Sequence, residues 1–508
     1  MRHKVISAEN AVKLVQQNDV LVIQGSGGGI GEPDLLIRAL GECFQREGEP
    51  KNLTICHSTG IGDQQGSGID HLALPGLVKR DIAGHLGMAP KIGQMIVTNE
   101  IEAYNFPQGV LSRMYAAVAA KSPGIITKVG LHTYIDPRLE GGKMNAVTHQ
   151  DLVKVIELDG EEWLYFPRFH FDVAFVRGTT ADTKGNISAE EEGAFLEAIS
   201  IAQAVKNCGG IVIAQVKYLA QPGTLNPQQV RIPGIYVDYL VVNDQQVQTC
   251  QSVYEPSFCG RVKIPHEQLH ALPLDAKKVI ARRALREIEQ GAVVNLGFGV
   301  PSHIVPVAVE EGRIDDFTLT VEQGAIGGMP AGGVIFGVAY NPEAIISMDS
   351  QFNFYDGGGL DVAFLGVAEV DAGGNVNASK LGDNKLAGCG GFIDITQNAK
   401  QVVFCGTFTA KGFRCSIGGG RLSITQEGSI KKFVERIRQI TFSGKYARSL
   451  KQQVLYVTER AVFQLTDQGV SLIEIAPGID LEHDVLRLMG FRPILADNLK
   501  TMDTRLFT

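Results

Sequence analysis

The sequence predicts an α/β protein with two related open domains whose sheets are mainly parallel. Short apolar runs at residues 20–23 (VLVI), 210–216 (GIVIAQV) and 401–406 (QVVFCG) have the length and composition of buried strands. Longer stretches between such runs place apolar residues at helical spacing, as in residues 275–290 (DAKKVIARRALREIEQ). Strands that alternate with helices in this way are typical of strand–helix–strand units, in which the strands lie parallel.

A gapless internal repeat indicates that the two halves of the chain are related. Residues 172–176 (DVAFV) and 182–187 (DTKGNI) match residues 361–365 (DVAFL) and 371–376 (DAGGNV) at one constant offset. The boundary between the halves is predicted in a proline-punctuated segment that precedes a helix. The expected organisation is an N-terminal domain over residues 1–260, a linker over 261–274 and a C-terminal domain over 275–508.

Two shorter parallels extend the repeat towards the start of each half. The segment Gly25-Ser-Gly27 parallels Gly297-Phe-Gly299, and both follow an apolar run. Residues 53–55 (LTI) parallel residues 319–321 (LTV). We therefore expect the first two strands of each half to be aligned in this register.

Composition and charge argue against several classes of function. A net charge of -8 without a dense basic stripe argues against nucleic-acid binding. No run approaches the roughly 18 apolar residues of a membrane helix, and the first residues lack the apolar core of a signal peptide, so a cytoplasmic location is expected. The cysteines form no CxxC pair and the histidines no cluster at zinc spacing, so no metal site is expected. The acidic run Glu190–Glu192 is expected at a helix start, on a solvated face.

The glycine-rich segment at residues 25–31 (GSGGGIG) follows a predicted strand and precedes a predicted helix. That is the position of a dinucleotide-binding turn, but Ile30 stands where the third glycine of GxGxxG belongs. The glycines fit two interpretations about equally well: tight structural turns, or a close approach of the backbone to a ligand.

Glu322 is the one ionisable residue of the segment 320–333 (TVEQGAIGGMPAGG). A glutamate can be a nucleophile when a substrate is held against it, and glycines leave room for an acyl group and expose N–H groups to an oxyanion. The alternative is a solvated carboxylate at a strand end, which the local sequence alone favours. On the alignment above Glu322 lies opposite Cys56, and the adjacent His57 is expected to be structural.

The segment 321–328 (VEQGAIGG) resembles the active-site signature of the family I coenzyme A transferases. The resemblance extends over nearly the whole chain, because residues 18–33, Pro107-Gln-Gly109 and residues 387–395 are also similar to segments of this family. It is strongest for the single-chain, fused-subunit short-chain acyl-CoA:carboxylate transferases of the propionate or acetate type. Two departures stand out: the widespread Ser-Glu-Asn-Gly reads VEQG here, and the usual Gly-Gly-Phe reads Gly25-Ser-Gly27.

The resemblance implies roles for individual residues. Glu322 is expected to be the nucleophile, and Gln108 a polar group near the reacting carbonyl. Gly390 or Gly391 is expected to donate a backbone N–H to the oxyanion. Further candidates are Gly25 and Gly27 beside the acyl group, and Lys380, Lys385 and Lys411 near the phosphates of CoA. Ordinary surface charge explains the three lysines at least as well.

The implied activity is transfer of CoA between a short-chain acyl-CoA and a carboxylate such as acetate, propionate, butyrate, lactate or acetoacetate. The active site is expected in a cleft between the two domains, with an acyl-glutamyl anhydride and a glutamyl-CoA thioester as intermediates of a ping-pong exchange. No cofactor beyond the substrate CoA is expected, and the family suggests a homo-oligomer, commonly a tetramer. Two alternatives stay open: an acyl-CoA thioesterase on the same fold, and a non-catalytic CoA-binding protein.

Overall fold

The computed structural model describes residues 4–265, 272–382 and 385–508. The chain forms two compact units that do not follow its order. Unit 1 contains Met1–Lys263, Val321–Asn353 and Gly382–Asp394, and unit 2 contains Ile264–Thr320, Phe354–Leu381 and Ile395–Thr508. The domain boundaries inferred from the sequence stay a prediction, and residues 266–271 of the predicted linker lie outside the described residues.

The main sheet of unit 1 is built largely from parallel strands. Val20–Ile23 pairs in parallel with Leu53–His57 on one side and with Val173–Asp182 on the other. Every residue of Val173–Asp182 except Thr180 is buried, as expected for a strand covered on both faces. In order across the sheet the strands are Val230–Ile232, Ile187–Ser188, Val173–Asp182, Val20–Ile23, Leu53–His57, Val78–Ala83 and Glu102–Asn105, with Ile211–Ala220 and Tyr239–Val242 branching from Val173–Asp182.

Helices and short antiparallel strands complete unit 1. The helix Asp34–Glu47 buries one face and ends at Gly48, whose φ of 71° lies in the left-handed region that favours glycine. The other helices within this unit are Ala8–Val12, Pro90–Val97, Gln108–Ala119 and Ala198–Asn207. The short strands are Gly124–Thr127, Lys154–Leu158 and Glu161–Pro167, then Ala325–Ile326 paired with Ala344–Ile345, and Met329–Pro330 paired with Ala339–Tyr340.

Unit 2 contains a sheet of the same kind. Val293–Leu296 lies between Thr318–Thr320 and Val362–Gly366, and all three strands are parallel. In order across the sheet the strands of this unit are Thr318–Thr320, Val293–Leu296, Val362–Gly366, Gln401–Cys405, Gln453–Val457, Ala461–Thr466, Gly469–Ile475 and Ile494–Thr501. Short strand pairs are Glu369–Val370 with Val376–Asn377, Thr409–Ala410 with Ile430–Lys431, and Arg414–Gly418 with Arg421–Gln426. The predicted α/β class with mainly parallel sheets is confirmed.

Among the described residues, the α-helices that lie entirely within unit 2 are Ala276–Leu285, Ile304–Glu310 and Gly444–Ser449. The first begins after Asp275, whose side chain accepts from the N–H of Lys278 and so caps the helix where the sequence predicts its start. Two more helices, Met348–Asp356 and Phe392–Asn398, contain the points at which the chain passes from unit 1 to unit 2. None of the helices in the described ranges is long and apolar enough to cross a membrane.

The internal repeat is visible in the hydrogen bonds of the two sheets. Asp172 accepts from the backbone N–H of Val20 at 2.8 Å, and Asp361 accepts from that of Val293 at 2.8 Å. Each aspartate therefore begins a strand and ties it to the strand beside it. The matching sequences at these positions encode the same structural element twice.

The loops that follow these strands match as well. Asp182 accepts from both the backbone and the side-chain nitrogens of Asn186. Asp371 accepts from the same two groups of Asn375. These aspartates satisfy the N–H groups of a tight loop, which explains why the asparagine and the intervening spacing are repeated.

Strand pairing shows how the first two strands of each half correspond. Val20 pairs with Thr54, and its counterpart Val293 pairs with Thr318. Thr54 therefore corresponds to Thr318. The alignment of the LTI and LTV runs instead places Thr54 opposite Thr320, two residues further along the chain. Short apolar runs resemble one another in several registers, so their letters alone do not fix the pairing.

This register changes the counterpart of Glu322. Counted from the paired threonines, Glu322 lies opposite Ser58, and the expected match with Cys56 is wrong. Ser58 is buried and uncharged. The first half therefore has no second copy of the carboxylate at this position.

The glycine turns of the two halves correspond in a register that differs by one residue from the alignment expected from the sequence. The N–H of Gln24 donates to the carbonyl of Phe175, and the N–H of Gly297 donates to that of Phe364. Because the two phenylalanines are counterparts in the repeat, Gly297 corresponds to Gln24. The expected match of Gly297 with Gly25 is therefore wrong.

The acidic run Glu190–Glu192 is not a solvated helix start. It lies in a turn, and Glu192 is only 4% exposed. Both oxygens of Glu192 accept from Arg177, at 3.1 Å each, in a buried bidentate ion pair. The expectation is wrong because Arg177 is remote in the sequence and supplies the charge that a buried carboxylate requires.

Candidate active site

Glu322 lies at the tip of a tight turn. The N–H of Gly324 donates to the carbonyl of Val321 at 2.9 Å, which places Glu322 and Gln323 at the centre of a β-turn. The N–H of Val321 donates in turn to the carbonyl of Ala325 at 2.9 Å. Val321 and Ala325 are buried in one apolar cluster, whereas Glu322 is half-buried. The core therefore fixes both ends of the turn and leaves the carboxylate at its tip.

Gly324 makes this turn possible. Its φ is 114°, and a Cβ at this position would lie 2.0 Å from the carbonyl oxygen of Ile346. The N–H of Ile346 donates to the carbonyl of Gly324 at 2.9 Å. The two backbones thus approach more closely than any side chain allows.

Gln323 points inward to the glycine loop at residues 25–31. Its Nε2 donates to Oγ of Ser26 at 3.2 Å, and both side chains are buried. A Cβ on Gly337 would lie 3.1 Å from Cδ of Gln323, so a glycine there leaves room for the amide. Among the described residues, Oε1 of Gln323 has no hydrogen-bond partner. The residue beside Glu322 is therefore held by the loop that the sequence singles out.

Gly25 and Gly27 lie close to other side chains of unit 1. A Cβ on Gly27 would lie 2.7 Å from Cε of Met88, and a Cβ on Gly25 would lie 2.8 Å from Cγ of Glu32. Gly25 also has a φ of 156°. A side chain at Gly25 would be strained, whereas one at Gly27 would require the flexible end of Met88 to move.

Gln108 is held beside Gly390. Its backbone N–H donates to the carbonyl of Gly390 at 2.9 Å, and its Nε2 donates to Sδ of Met348 at 3.2 Å. The side chain is buried. Met348 follows Ile346 by two residues, so the segment that braces the Glu322 turn also holds the amide of Gln108.

The two glycines predicted as oxyanion donors differ in their backbone hydrogen bonds. The N–H of Gly390 donates to the carbonyl of Gly84 at 2.7 Å. Within the described residues the N–H of Gly391 donates to no acceptor, although the residue is buried. Of the two, only Gly391 has an N–H without an acceptor in the described ranges, and its role as an oxyanion donor stays a prediction.

Comparison with known proteins identifies the family. Residues 5–243 match the coenzyme A transferase family model. The chain is 47% identical over 507 residues to the acetate CoA-transferase YdiF of Escherichia coli K12, covering 100% of this chain and 95% of YdiF. It is also 47% identical over 513 residues to the caffeate CoA-transferase of Acetobacterium woodii, covering 99% of this chain and 97% of that one. This chain belongs to the family I coenzyme A transferases.

Solved structures agree with this assignment. The transferase matches the YdiF acyl-CoA transferase of Escherichia coli O157:H7, in a thioester complex with CoA, with a TM-score of 0.95 at 46% identity, covering 100% of this chain and 96% of that one. A structure of the alpha subunit of citrate lyase from Streptococcus mutans matches with a TM-score of 0.55 at 17% identity, covering 91% of this chain and 79% of that one, which shows a shared fold. The protein is an enzyme that transfers CoA between an acyl-CoA and a carboxylate.

The predicted lysines of the transferase belong to different units. Lys385 is exposed and belongs to unit 1, with Glu322 and Gln108, whereas Lys380 and Lys411 belong to unit 2. None of the three forms an ion pair within the ranges that the structure describes. Their role in binding CoA phosphates stays a prediction.

Sequence reasoning missed two groups beside Gln108. Met348 contacts its amide, and His85 lies near Gly390. His85 follows the strand Val78–Ala83 by two residues, at the carboxyl end of a parallel sheet, where ligands commonly bind. That position was a usable indication for His85, whereas the contact of Met348 depends on long-range packing.

Unit 1 of the transferase also contains buried ionisable groups. Nε2 of His57 is 3.0 Å from Oδ1 of Asp81, and neither side chain is exposed to any extent. Burial lowers the pKa of His57, but the charge and hydrogen bond of Asp81 outweigh this effect and raise it. Burial raises the pKa of Glu197 to about 8, partly offset by the Ser58 hydroxyl. At neutral pH Glu197 therefore holds its proton in the folded enzyme.

Gly324→Ala is expected to lower kcat by about 100-fold with little change in secondary structure. The added Cβ would meet the carbonyl of Ile346 and displace the tip of the turn, and a shift of about 1 Å of a reacting group can cost this much. Gly332→Ala is the matched control, because a Cβ there meets nothing within 4 Å. Steady-state kinetics and circular dichroism measure both variants. Equal kcat values for the two would contradict the role of the turn.

Glu197→Gln is expected to stabilise the transferase increasingly as the pH rises from about 4.5 to about 8. Over this range the unfolded chain releases the Glu197 proton while the folded chain keeps it, so the wild type loses stability at up to about 1.4 kcal/mol per pH unit. At pH values below and above this range, the difference in the free energy of unfolding between Glu197→Gln and the wild type does not change with pH. Thermal unfolding at several pH values measures it, with the exposed Glu42→Gln as control. Parallel curves for wild type and Glu197→Gln would refute the raised pKa.

Proposed function

We propose that the transferase exchanges CoA between short-chain acyl-CoA thioesters and short-chain carboxylates through covalent intermediates on Glu322. The observation that carries the proposal is the braced turn, which holds a half-buried carboxylate at its tip beside the segment that positions Gln108. The relative YdiF supports it, since that protein forms a thioester complex with CoA.

The first step is attack of the Glu322 carboxylate on the thioester carbonyl. A bond forms between a carboxylate oxygen and the acyl carbon, and the C–S bond breaks. The products are an acyl-glutamyl anhydride and the CoA thiolate. No proton is transferred in this step, because the nucleophile enters and the thiolate leaves as anions.

The second step returns CoA to the enzyme. The thiolate attacks the glutamyl carbonyl of the anhydride, releases the first carboxylate and leaves a glutamyl-CoA thioester on Glu322. A second carboxylate then enters, and the two steps run in reverse to give the new acyl-CoA. One thioester replaces another, so the exchange requires neither ATP nor a cofactor other than CoA.

Thiolate is a better leaving group than carboxylate, so the first step is uphill without help. Partial removal of water from Glu322 by its buried neighbours reduces the solvation that a carboxylate must lose before it attacks. The N–H of Gly391 is the candidate donor to the developing oxyanion, and Gln108 is a polar group near the reacting carbonyl. One such donor contributes about 10²- to 10³-fold in rate.

The proposed acids are short-chain carboxylates of the size of acetate, propionate, butyrate, lactate or acetoacetate, as the family resemblance implies. YdiF acts on acetate, whereas the relative from Acetobacterium woodii acts on caffeate.

Wild-type enzyme incubated with acetyl-CoA and then reduced with borohydride is expected to carry a modification at Glu322. Borohydride reduces a glutamyl thioester to an alcohol, which peptide mass spectrometry locates. Glu322→Ala is expected to carry no modification and to lose at least about 10⁴-fold in kcat. Glu322→Gln is the isosteric control and is expected to be equally inactive while it still binds CoA. Full activity of Glu322→Ala without an adduct in the wild type would refute the mechanism.

The two alternatives give different outcomes in the same reaction. A thioesterase would hydrolyse acetyl-CoA at a steady rate without an acceptor acid, because water would reach the intermediate. A non-catalytic CoA-binding protein would bind acetyl-CoA without turnover. The proposed transferase turns over only when a second carboxylate is present. The homo-oligomer and the cytoplasmic location stay predictions.

A further inference from the structure

His85 is enclosed by glycines in the loop that follows the strand Val78–Ala83. A Cβ on Gly60 would lie 2.7 Å from its Nδ1, and a Cβ on Gly87 would lie 2.9 Å from its Cε1. The imidazole ring therefore occupies space that exists only because these residues have no side chains. Such close packing fixes the position of the ring.

The hydrogen bond of Nδ1 determines where the proton of the ring lies. The backbone N–H of Gly87 donates to Nδ1 of His85 at 3.2 Å. A nitrogen that accepts a hydrogen bond carries no proton, so in the neutral ring the proton is on Nε2. Burial lowers the pKa of His85 to about 4, and the nearby His57 contributes in the same direction. The ring is therefore neutral at pH 7 and presents Nε2–H as a donor.

The donor edge of His85 faces the space in front of Gly390. The point where a Cβ of Gly390 would lie is 3.8 Å from Cδ2 of His85, the ring carbon bonded to Nε2. The same point is 3.6 Å from Oε1 of Gln108. Within the described residues Nε2 has no hydrogen-bond partner, and it is not sealed from solvent. His85 and Gln108 thus flank one small space that a glycine keeps open.

We propose that His85 is a further catalytic residue, whose Nε2–H donates a hydrogen bond to the acyl oxygen as Glu322 attacks the thioester carbonyl. This inference rests on the covalent mechanism proposed above. Negative charge develops on that oxygen as the new C–O bond forms and returns to sulfur as the C–S bond breaks. His85 keeps its proton throughout, so the charges balance without a proton transfer.

A neutral donor suits this reaction better than a charged one. The released CoA must remain a thiolate, because the thiolate is the nucleophile of the second step. An imidazolium beside it could protonate the sulfur and stop the exchange. The neutral ring of His85 stabilises the oxyanion without offering an acidic proton to the thiolate.

The test compares His85→Gln with His85→Met, two side chains of equal length of which only glutamine has an N–H donor. His85→Met is expected to lose about 100-fold in kcat, with KM for acetyl-CoA within about threefold of wild type. His85→Gln is expected to stay within about tenfold of wild type. Rapid-quench mass spectrometry should show the same ranking for the rate at which the Glu322 adduct forms.

Equal kcat values for the glutamine and methionine variants would overturn the role of His85 as a donor, whether both are active or both are impaired. Melting temperatures of the two variants separate this result from loss of folding, and if the methionine variant does not fold, His85→Leu takes its place. Failure of the underlying mechanism gives a different result. Absence of a Glu322 adduct in the wild type would refute the covalent route itself. An adduct that forms at the wild-type rate in His85→Met would refute only the role of His85.

Discussion

The close approach of the backbones of Gly324 and Ile346 fixes the turn that carries Glu322, the proposed nucleophile of this transferase. The approach leaves no room for a Cβ, so a glycine at 324 is a steric requirement of the turn. One hydrogen bond closes the turn and a second joins it to Ile346, while buried residues anchor both ends. Met348, two residues beyond Ile346, receives the amide of Gln108. One segment of the chain therefore braces the turn that carries Glu322 and also receives the amide of Gln108.

The proposed chemistry requires anions to react without being protonated. Carboxylate and thiolate replace each other on carbonyl carbons. Protonation by a nearby acid would make either of them a poor nucleophile. The groups proposed as donors to the oxyanion fit this requirement, because a backbone N–H and a neutral imidazole are not acids. Each tenfold gain in rate from such a donor corresponds to about 1.4 kcal/mol. The acidic protons of the region are kept in buried positions, as in Glu197 and the ion pair of His57.

Much of the fold could be predicted from the sequence, because strand and helix patterns are local. The repeat could be recognised because aspartates and asparagines recur at matching positions in the two halves. Glu322 could be singled out because residues 320–333 contain no other ionisable residue, and the family resemblance implies its role as the nucleophile. Register could not be predicted, since short apolar runs match in more than one alignment and only strand pairing distinguishes Ser58 from Cys56 as the counterpart of Glu322. Contacts between residues far apart in the sequence were also beyond reach: Arg177 with Glu192, Gln323 with Ser26, and His85 with Gly390.

Oxygen exchange tests the central claim most directly. If an anhydride forms on Glu322, each complete exchange leaves one oxygen of the acceptor acid in the glutamate carboxylate. Enzyme that turns over acetyl-CoA with ¹⁸O-labelled propionate should therefore carry ¹⁸O in the peptide that contains Glu322, as measured by mass spectrometry. Label at Glu322 would support attack by this carboxylate, whereas turnover that leaves Glu322 unlabelled would contradict it.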